Sequence, residues 1–128
     1  MVSYSSNAPD SQEGALPLFQ QVAARVSDDI VAGVLAEGDQ VPSINEFASF
    51  WRINPATALK GIAQLVSDGV LYKQRGIGTF VADGARERLL ERRRADFAQR
   101  FVAPLLAEAD RLGLTSQQVI DIINQEQP

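Results

Sequence analysis

A mainly α-helical chain with one small β-hairpin is the fold class that the sequence predicts, and three observations predict it. Apolar residues recur at every fourth position from Leu18 to Val34. Two helix-start signals follow, at Ser43-Ile44-Asn45-Glu46 and at Asn54-Pro55. Two short β-prone runs then flank a connection that contains glycine. A spacing of about four marks one face of a helix, whereas alternation marks a strand. The length of 128 residues suits one core with a short appendage. With 45% hydrophobic and 22% charged residues, the chain can bury that core.

The first fifteen residues are rich in Ser, Asn, Asp and Gly and have almost nothing apolar after Tyr4, which predicts a frayed tail. In the first helix Leu18, Val22, Val26, Ile30 and Val34 form the stripe, and Phe19 and Ala23 widen it. The helix is expected to reach Leu35 and to stop at Ala36-Glu37-Gly38-Asp39, before Pro42 bars its neighbour from helix. Ser43 and Glu46 make a capping box in which each satisfies the other's amide. The short second helix turns Ile44, Phe47, Ala48 and Trp51 inward and ends near Arg52.

Asn54 is the next N-cap, and Pro55 stands at the first helical position, where its missing N–H costs nothing. The third helix runs to about Asp68, with Ala58, Leu59, Ile62, Leu65 and Val66 as its inner face and Gly69 as a left-handed C-cap. Val70-Leu71-Tyr72 and Thr79-Phe80-Val81 predict a hairpin across Lys73-Gln74-Arg75-Gly76-Ile77-Gly78. Trp51 and Tyr72 are read as core residues. After Gly84 a long charged helix places Leu90, Phe97, Phe101, Leu105 and Leu112 on one stripe and ends at Gly113. Thr115 with Gln118 opens a last helix whose apolar face is Val119, Ile120, Ile122 and Ile123.

Helix, helix, turn, helix, hairpin is the order of a winged helix-turn-helix. Three segments follow: a tail over residues 1–15, a winged helix-turn-helix over residues 16–83, and a two-helix C-terminal region over residues 84–128. The absence of cysteine and histidine removes disulfides, Cys/His zinc sites and the Ser-His and Cys-His catalytic pairs. No enzyme, metal or cofactor is expected. No apolar run approaches the roughly 20 residues that span a bilayer, and the N-terminus lacks the marks of a secretory signal. The chain is therefore expected to be cytoplasmic with no membrane partner.

Net charge is -4, yet only the face that meets phosphate has to be positive for a protein to bind nucleic acid. The third helix opens with Asn54, Ala56 and Thr57 and carries Lys60 one turn on, a small polar tip suited to a major groove. Ser43 and Asn45 offer a second helix N-terminus, whose amides favour phosphate. The hairpin tip gathers Lys73 and Arg75 beside Gly76 and Gly78, which let backbone approach a duplex. Plainer readings accompany these: Asn54-Pro55 caps any helix, the cations are ordinary solvated charges, and the glycines merely permit a turn. Arg92-Arg93-Arg94 is read as a solvated helix face, because the C-terminal region balances seven bases with seven acids.

Residues 16–82 resemble the DNA-binding domain of the GntR family of bacterial transcription regulators. The resemblance rests on Pro17-Leu18-Phe19-Gln20-Gln21, on Gly38-Asp39 with Val41-Pro42-Ser43, on Asn54-Pro55-Ala56-Thr57, on Asp68-Gly69-Val70-Leu71, and on Arg75-Gly76-Ile77-Gly78-Thr79-Phe80-Val81. The short remainder looks like the YtrA-type subfamily, whose two C-terminal helices are understood to make a homodimer. The resemblance implies a regulator, commonly a repressor, on an inverted-repeat operator in double-stranded DNA.

Where relatives carry an arginine in the second helix this chain has Asn45. Where they carry glycine in the turn it has Arg52, and where they are often basic between the wing glycines it has Ile77. Arg52 in a left-handed backbone would bear about 1 kcal/mol of strain and place a cation near phosphate.

The expected DNA contacts are thus Ser43, Asn45, Arg52, Asn54, Ala56, Thr57, Lys60, Lys73, Arg75, Gly76 and Gly78. Leu90, Phe97, Phe101, Leu105, Leu112, Ile120 and Ile123 are the expected dimer seam, because so much exposed apolar area normally has a partner. A small-molecule effector stays open as a partner, with no ligand signature in the sequence. The alternative function is a winged-helix protein-interaction module that does not bind DNA.

Overall fold

The computed structural model describes residues 16–127, and the tail expected over residues 1–15 lies outside them. Element order is α1 (Leu18–Ala32), α2 (Ile44–Trp51), α3 (Pro55–Ser67), β1 (Leu71–Gln74), β2 (Gly78–Val81), α4 (Ala85–Phe97), a π-helical segment (Ala98–Val102), α5 (Ala103–Arg111) and α6 (Ser116–Glu126). It forms two compact units, one ending at Leu90 and the other beginning at Glu91.

In the first unit, Val22, Val26 and Ile30 of α1 pack with Phe47 and Trp51 of α2 and with Ala58, Ile62 and Leu65 of α3. The Phe47 and Trp51 rings lie 4.9 Å apart and tilted. Leu71 and Val81 close this core from the hairpin, and Ala85 and Leu89 join it from α4, so the core extends beyond residue 83. The start of α4 is tied down by three hydrogen bonds. Gly84 N–H donates to Glu37 at 2.6 Å, Arg86 Nε to the Val31 carbonyl at 3.0 Å, and Arg88 Nη1 to the Gly69 carbonyl at 2.8 Å.

α1 stops three residues earlier than its apolar spacing predicts. Gly33 takes φ +85°, its N–H donating to the Ile30 carbonyl, and this left-handed cap turns the chain out of the helix. The stripe then fails: Val34 is 55% exposed, whereas Leu35 is buried at 2%.

The inner face of α3 also departs from expectation. It consists of Ala58, Gly61, Ile62 and Leu65, while Leu59 is 46% exposed. At about 100° per residue, Leu59 lies well round the helix from the centre of that face. Gly61 takes the inward place because α1 passes too close for a side chain. A Cβ there would stand 2.7 Å from the Phe19 carbonyl and 2.8 Å from Val22 Cγ1.

The antiparallel hairpin pairs Leu71 with Val81, Tyr72 with Phe80, Lys73 with Thr79 and Gln74 with Gly78. Lys73 and Gln74 therefore belong to β1, and the turn is shorter than expected. Segment 38–41 lines the other edge of β2, with Val81 N–H donating to Asp39 and Val41 N–H to Thr79. Side chains alternate across a strand, so inward Leu71 turns Tyr72 outward. Tyr72 is 43% exposed and stacks on Phe80 with centroids 5.6 Å apart, which corrects its expected place in the core.

In the second unit α5 and α6 lie against one another, Ala109 and Val119 are their buried residues, and Gly113 (φ +71°) turns the chain between them. Thr115 and Gln118 form the expected capping box, with bonds of 2.8 and 3.1 Å. The long helix expected after Gly84 is broken by the π-helical segment, in which Ala103 N–H donates to the Ala98 carbonyl. Pro104 explains it: without an N–H, and with a ring that crowds the carbonyl four residues back, proline lets the ladder slip by one residue.

The close approach at Gly61 is testable by substitution. Gly61→Ala gains helix propensity but meets a backbone carbonyl that cannot swing away, so it should lower unfolding free energy by about 1–3 kcal/mol in urea titration. A variant as stable as wild type would refute the close approach.

In the α2 capping box, Ser43 N–H donates to Glu46 at 2.9 Å, and Ser43 Oγ accepts from Glu46 N–H at 3.1 Å. The Ser43 backbone bond first, then its hydroxyl, hold the Glu46 carboxyl below its ordinary value. A lowered folded-state value stabilises the protein above the unfolded value, and that gain is lost as pH falls through the folded one. Wild type should therefore lose stability relative to Glu46→Gln on acidification, read from urea midpoints across the acid range. A constant difference between the two proteins would contradict this.

Candidate nucleic-acid interface

α2 and α3 are joined through Arg52, Ile53 and Asn54, and the hinge is Arg52. It takes φ 54° and ψ 50°, the only positive φ outside glycine among the described residues. A side chain in the left-handed region costs about 1–2 kcal/mol, and this turn fixes where α3 begins. Ile53 N–H donates to the Ala48 carbonyl at 3.0 Å across the break. Asn54 then caps α3, its Oδ1 accepting from Ala56 N–H at 2.8 Å.

The expected contact residues occupy three places in the first unit. Ser43 and the exposed Asn45 lie at the start of α2, where Ser43 is engaged in the cap. Ala56, Thr57 and Lys60 lie on the first turns of α3, and with Leu18 and Phe19 of α1 they line a concavity of about 330 Å³. Lys73, Arg75 and Gly76 are exposed on the hairpin, with Gly76 at φ +79° in the turn. Gly78 begins β2, where a Cβ would collide with the Gln40 amide, whose Nε2 donates to the Ile77 carbonyl at 3.2 Å. The Gln40 amide is the far end of an exposed, flexible side chain that can move aside, so packing alone does not require glycine there.

Lys60 does not simply point outward. Its Nζ lies 4.1 Å from the centroid of the Phe19 ring, a cation–π contact that draws the ammonium toward α1. Nothing in the spacing signals this, because Phe19 and Lys60 are brought together only by α1–α3 packing. Leu59, which the spacing places in the core, is instead part of the outer surface of α3.

Local charge differs sharply from the total. From Arg52 to Ala82 the bases are Arg52, Lys60, Lys73 and Arg75, against the single acid Asp68. The second unit presents a different surface: Phe97, Phe101, Leu105, Leu112, Ile120 and Ile123 are all exposed, and the Phe97 and Phe101 rings pair at 5.7 Å. Leu106 and Ile122 extend this apolar surface, whereas Leu90 is half-buried at the end of the first unit. Among the described residues, no helix is long and apolar enough to cross a membrane, and no group of acids forms a metal site.

The comparisons with known proteins agree with this architecture. The family described as bacterial regulatory proteins, gntR family, matches residues 18–81. The HTH-type transcriptional repressor YtrA of Bacillus subtilis is 29% identical over 75 residues, which are 59% of this chain and 58% of that protein. A crystal structure of a GntR-family regulator from Bacteroides thetaiotaomicron is 29% identical, with TM-score 0.69, over 85% of this chain and 95% of that one. The crystal structure of AraR(DBD) in complex with operator ORX1 is 30% identical, with TM-score 0.55, over 62% of this chain and all of that one. The matched segment spans only 26% of the length of some longer curated relatives. With half of its residues matched by the family and a YtrA repressor among its relatives, this chain belongs to the gntR family of bacterial regulatory proteins, on the YtrA-like side.

Proposed function

We propose that this chain is a transcription regulator that binds an inverted-repeat operator in double-stranded DNA as a homodimer, and that it acts as a repressor. The observation that carries the reading is the gathering of four cations on α3, its preceding turn and the wing of an otherwise acidic chain. A related domain solved on an operator, and a related protein named as a repressor, support it. Ser43, Asn45, Arg52, Asn54, Ala56, Thr57, Lys60, Lys73, Arg75, Gly76 and Gly78 form the docking face. Arg75, Lys73 and Arg52 meet phosphate, and the start of α3 enters the major groove. The apolar surface of the second unit, with Phe97 and Phe101 at its centre, is the dimer seam. No small-molecule effector enters this reading.

Binding of the full chain to operator and to random duplex, titrated against salt, tests the proposal. Arg75→Ala should weaken both and lower the salt slope by about 1 for the phosphate that each subunit no longer neutralises. Arg52→Gly should weaken binding while leaving stability unchanged or raised by up to about 1 kcal/mol, because glycine relieves the backbone. Absence of any sequence preference in the wild-type chain would favour a protein-interaction module instead.

Phe101→Glu places a charge in the seam and should convert the chain to a folded monomer by sedimentation. With the second half-site no longer tethered, apparent operator affinity should fall by roughly 10² to 10⁴. A wild-type chain that sediments as a monomer would end the dimer proposal.

A further inference from the structure

We infer that Leu59 is a specificity-determining residue that reads the C5-methyl group of an operator thymine; this rests on the proposed DNA-binding function. Leu59 is a large apolar side chain, 46% exposed, on a helix whose opposite face is fully engaged with α1 and α2. On the outer face of α3 it neighbours Ala56 and Ala63, one turn away on either side and both exposed. All three side chains end in methyl groups, so Ala56, Leu59 and Ala63 form a hydrocarbon strip along the outer face of α3, bordered by Lys60 and Gln64.

The polar groups that would compete for base edges beside Leu59 are few. α3 holds no arginine, Thr57 is half-buried, the exposed Gln64 lies more than a turn further along the helix, the Asn54 carbonyl oxygen is committed to the Ala56 amide, and the Lys60 ammonium is drawn over Phe19. Guanine is read best by a bidentate cation and adenine by a bidentate amide, whereas apolar side chains match only the thymine methyl in the major groove. A leucine flanked by alanines is thus complementary to thymine and leaves the polar edges of the other bases without partners. The energetic source is burial: Leu59 gives up no hydrogen bond on leaving water, and it removes a methyl group from water at the same time.

The experiment uses the whole 128-residue chain and an operator obtained by selection from random duplexes. Each thymine of that operator is replaced in turn by deoxyuridine, which deletes only the methyl, and binding is measured for wild type, Leu59→Ala and Leu59→Met. One thymine, with its symmetry mate, should weaken wild-type binding roughly fourfold per methyl removed. The same replacement should leave Leu59→Ala binding unchanged, while Leu59→Met retains most of the effect. Arg75→Ala should keep the full methyl sensitivity, because phosphate contacts are blind to it. Exposure of Leu59 predicts unchanged melting of both variants, so weaker binding cannot be assigned to unfolding. The inference is overturned if wild type binds its operator but no thymine methyl contributes, or if every methyl effect persists in Leu59→Ala. If wild type selects no sequence at all, the DNA-binding function falls and this inference with it.

Discussion

The contact between α1 and α3 at Gly61 is the constraint on which the rest of the first unit depends. A helix whose backbone approaches another this closely is fixed in depth and rotation, because neither backbone can yield as a side chain would. Its rotation sends Ala58, Ile62 and Leu65 into the core and sends Ala56, Leu59 and Ala63 outward. It also brings Phe19 under Lys60. The same few ångströms that exclude a methyl group at position 61 therefore decide which side chains the proposed recognition helix offers to DNA.

Most of the fold is legible in the sequence because local chemistry and long-range packing agree. Both capping boxes, the Asn54-Pro55 helix start, the hairpin and the left-handed Gly69 can be read from side chains that act within three or four residues of themselves. The differences fall where one residue's backbone overrides a periodic pattern. Gly33 ends α1 although Val34 continues the stripe, and Pro104 shifts the hydrogen-bond ladder within an otherwise unbroken helical run. Both residues are visible in the sequence, but an apolar repeat is blind to them. Leu59 and Tyr72 depart from expectation for another reason: near the edge of an apolar face, hydrophobic character alone does not distinguish inward from outward.

For the candidate site, residue types are legible and relations are not. Asn54 and Ser43 are legible as caps, and because a cap lies at a helix N-terminus by necessity the same two residues are also proposed as contacts. The pairing of Lys60 with Phe19 and the place of Gly78 against Gln40 depend on elements far apart in sequence, and no spacing rule reaches them. Gly78 shows how this matters. What looks in the sequence like a concession to close-lying DNA lies, in the structure, against the Gln40 amide of the segment that lines β2.

Arg52 unites the fold and its proposed use. Its left-handed backbone is a cost of about 1–2 kcal/mol, which glycine would relieve only in part because it loses more chain entropy on folding, and the side chain is exposed rather than packed in the core. Strain held at an exposed turn is intelligible when the side chain has work outside the folded chain. The turn fixes where α3 starts, so on the proposed docking a cation there would stand close to the backbone of a duplex that α3 enters. An acidic protein with few bases gains most from cations held in place by backbone geometry rather than left to long, freely rotating side chains. The wing follows the same rule, carrying Lys73 within a paired strand and Arg75 on a turn whose conformation is set by Gly76. On the proposed function, charge this sparse suits phosphate contacts that position the protein more than they discriminate, which would leave sequence preference to the outer face of α3.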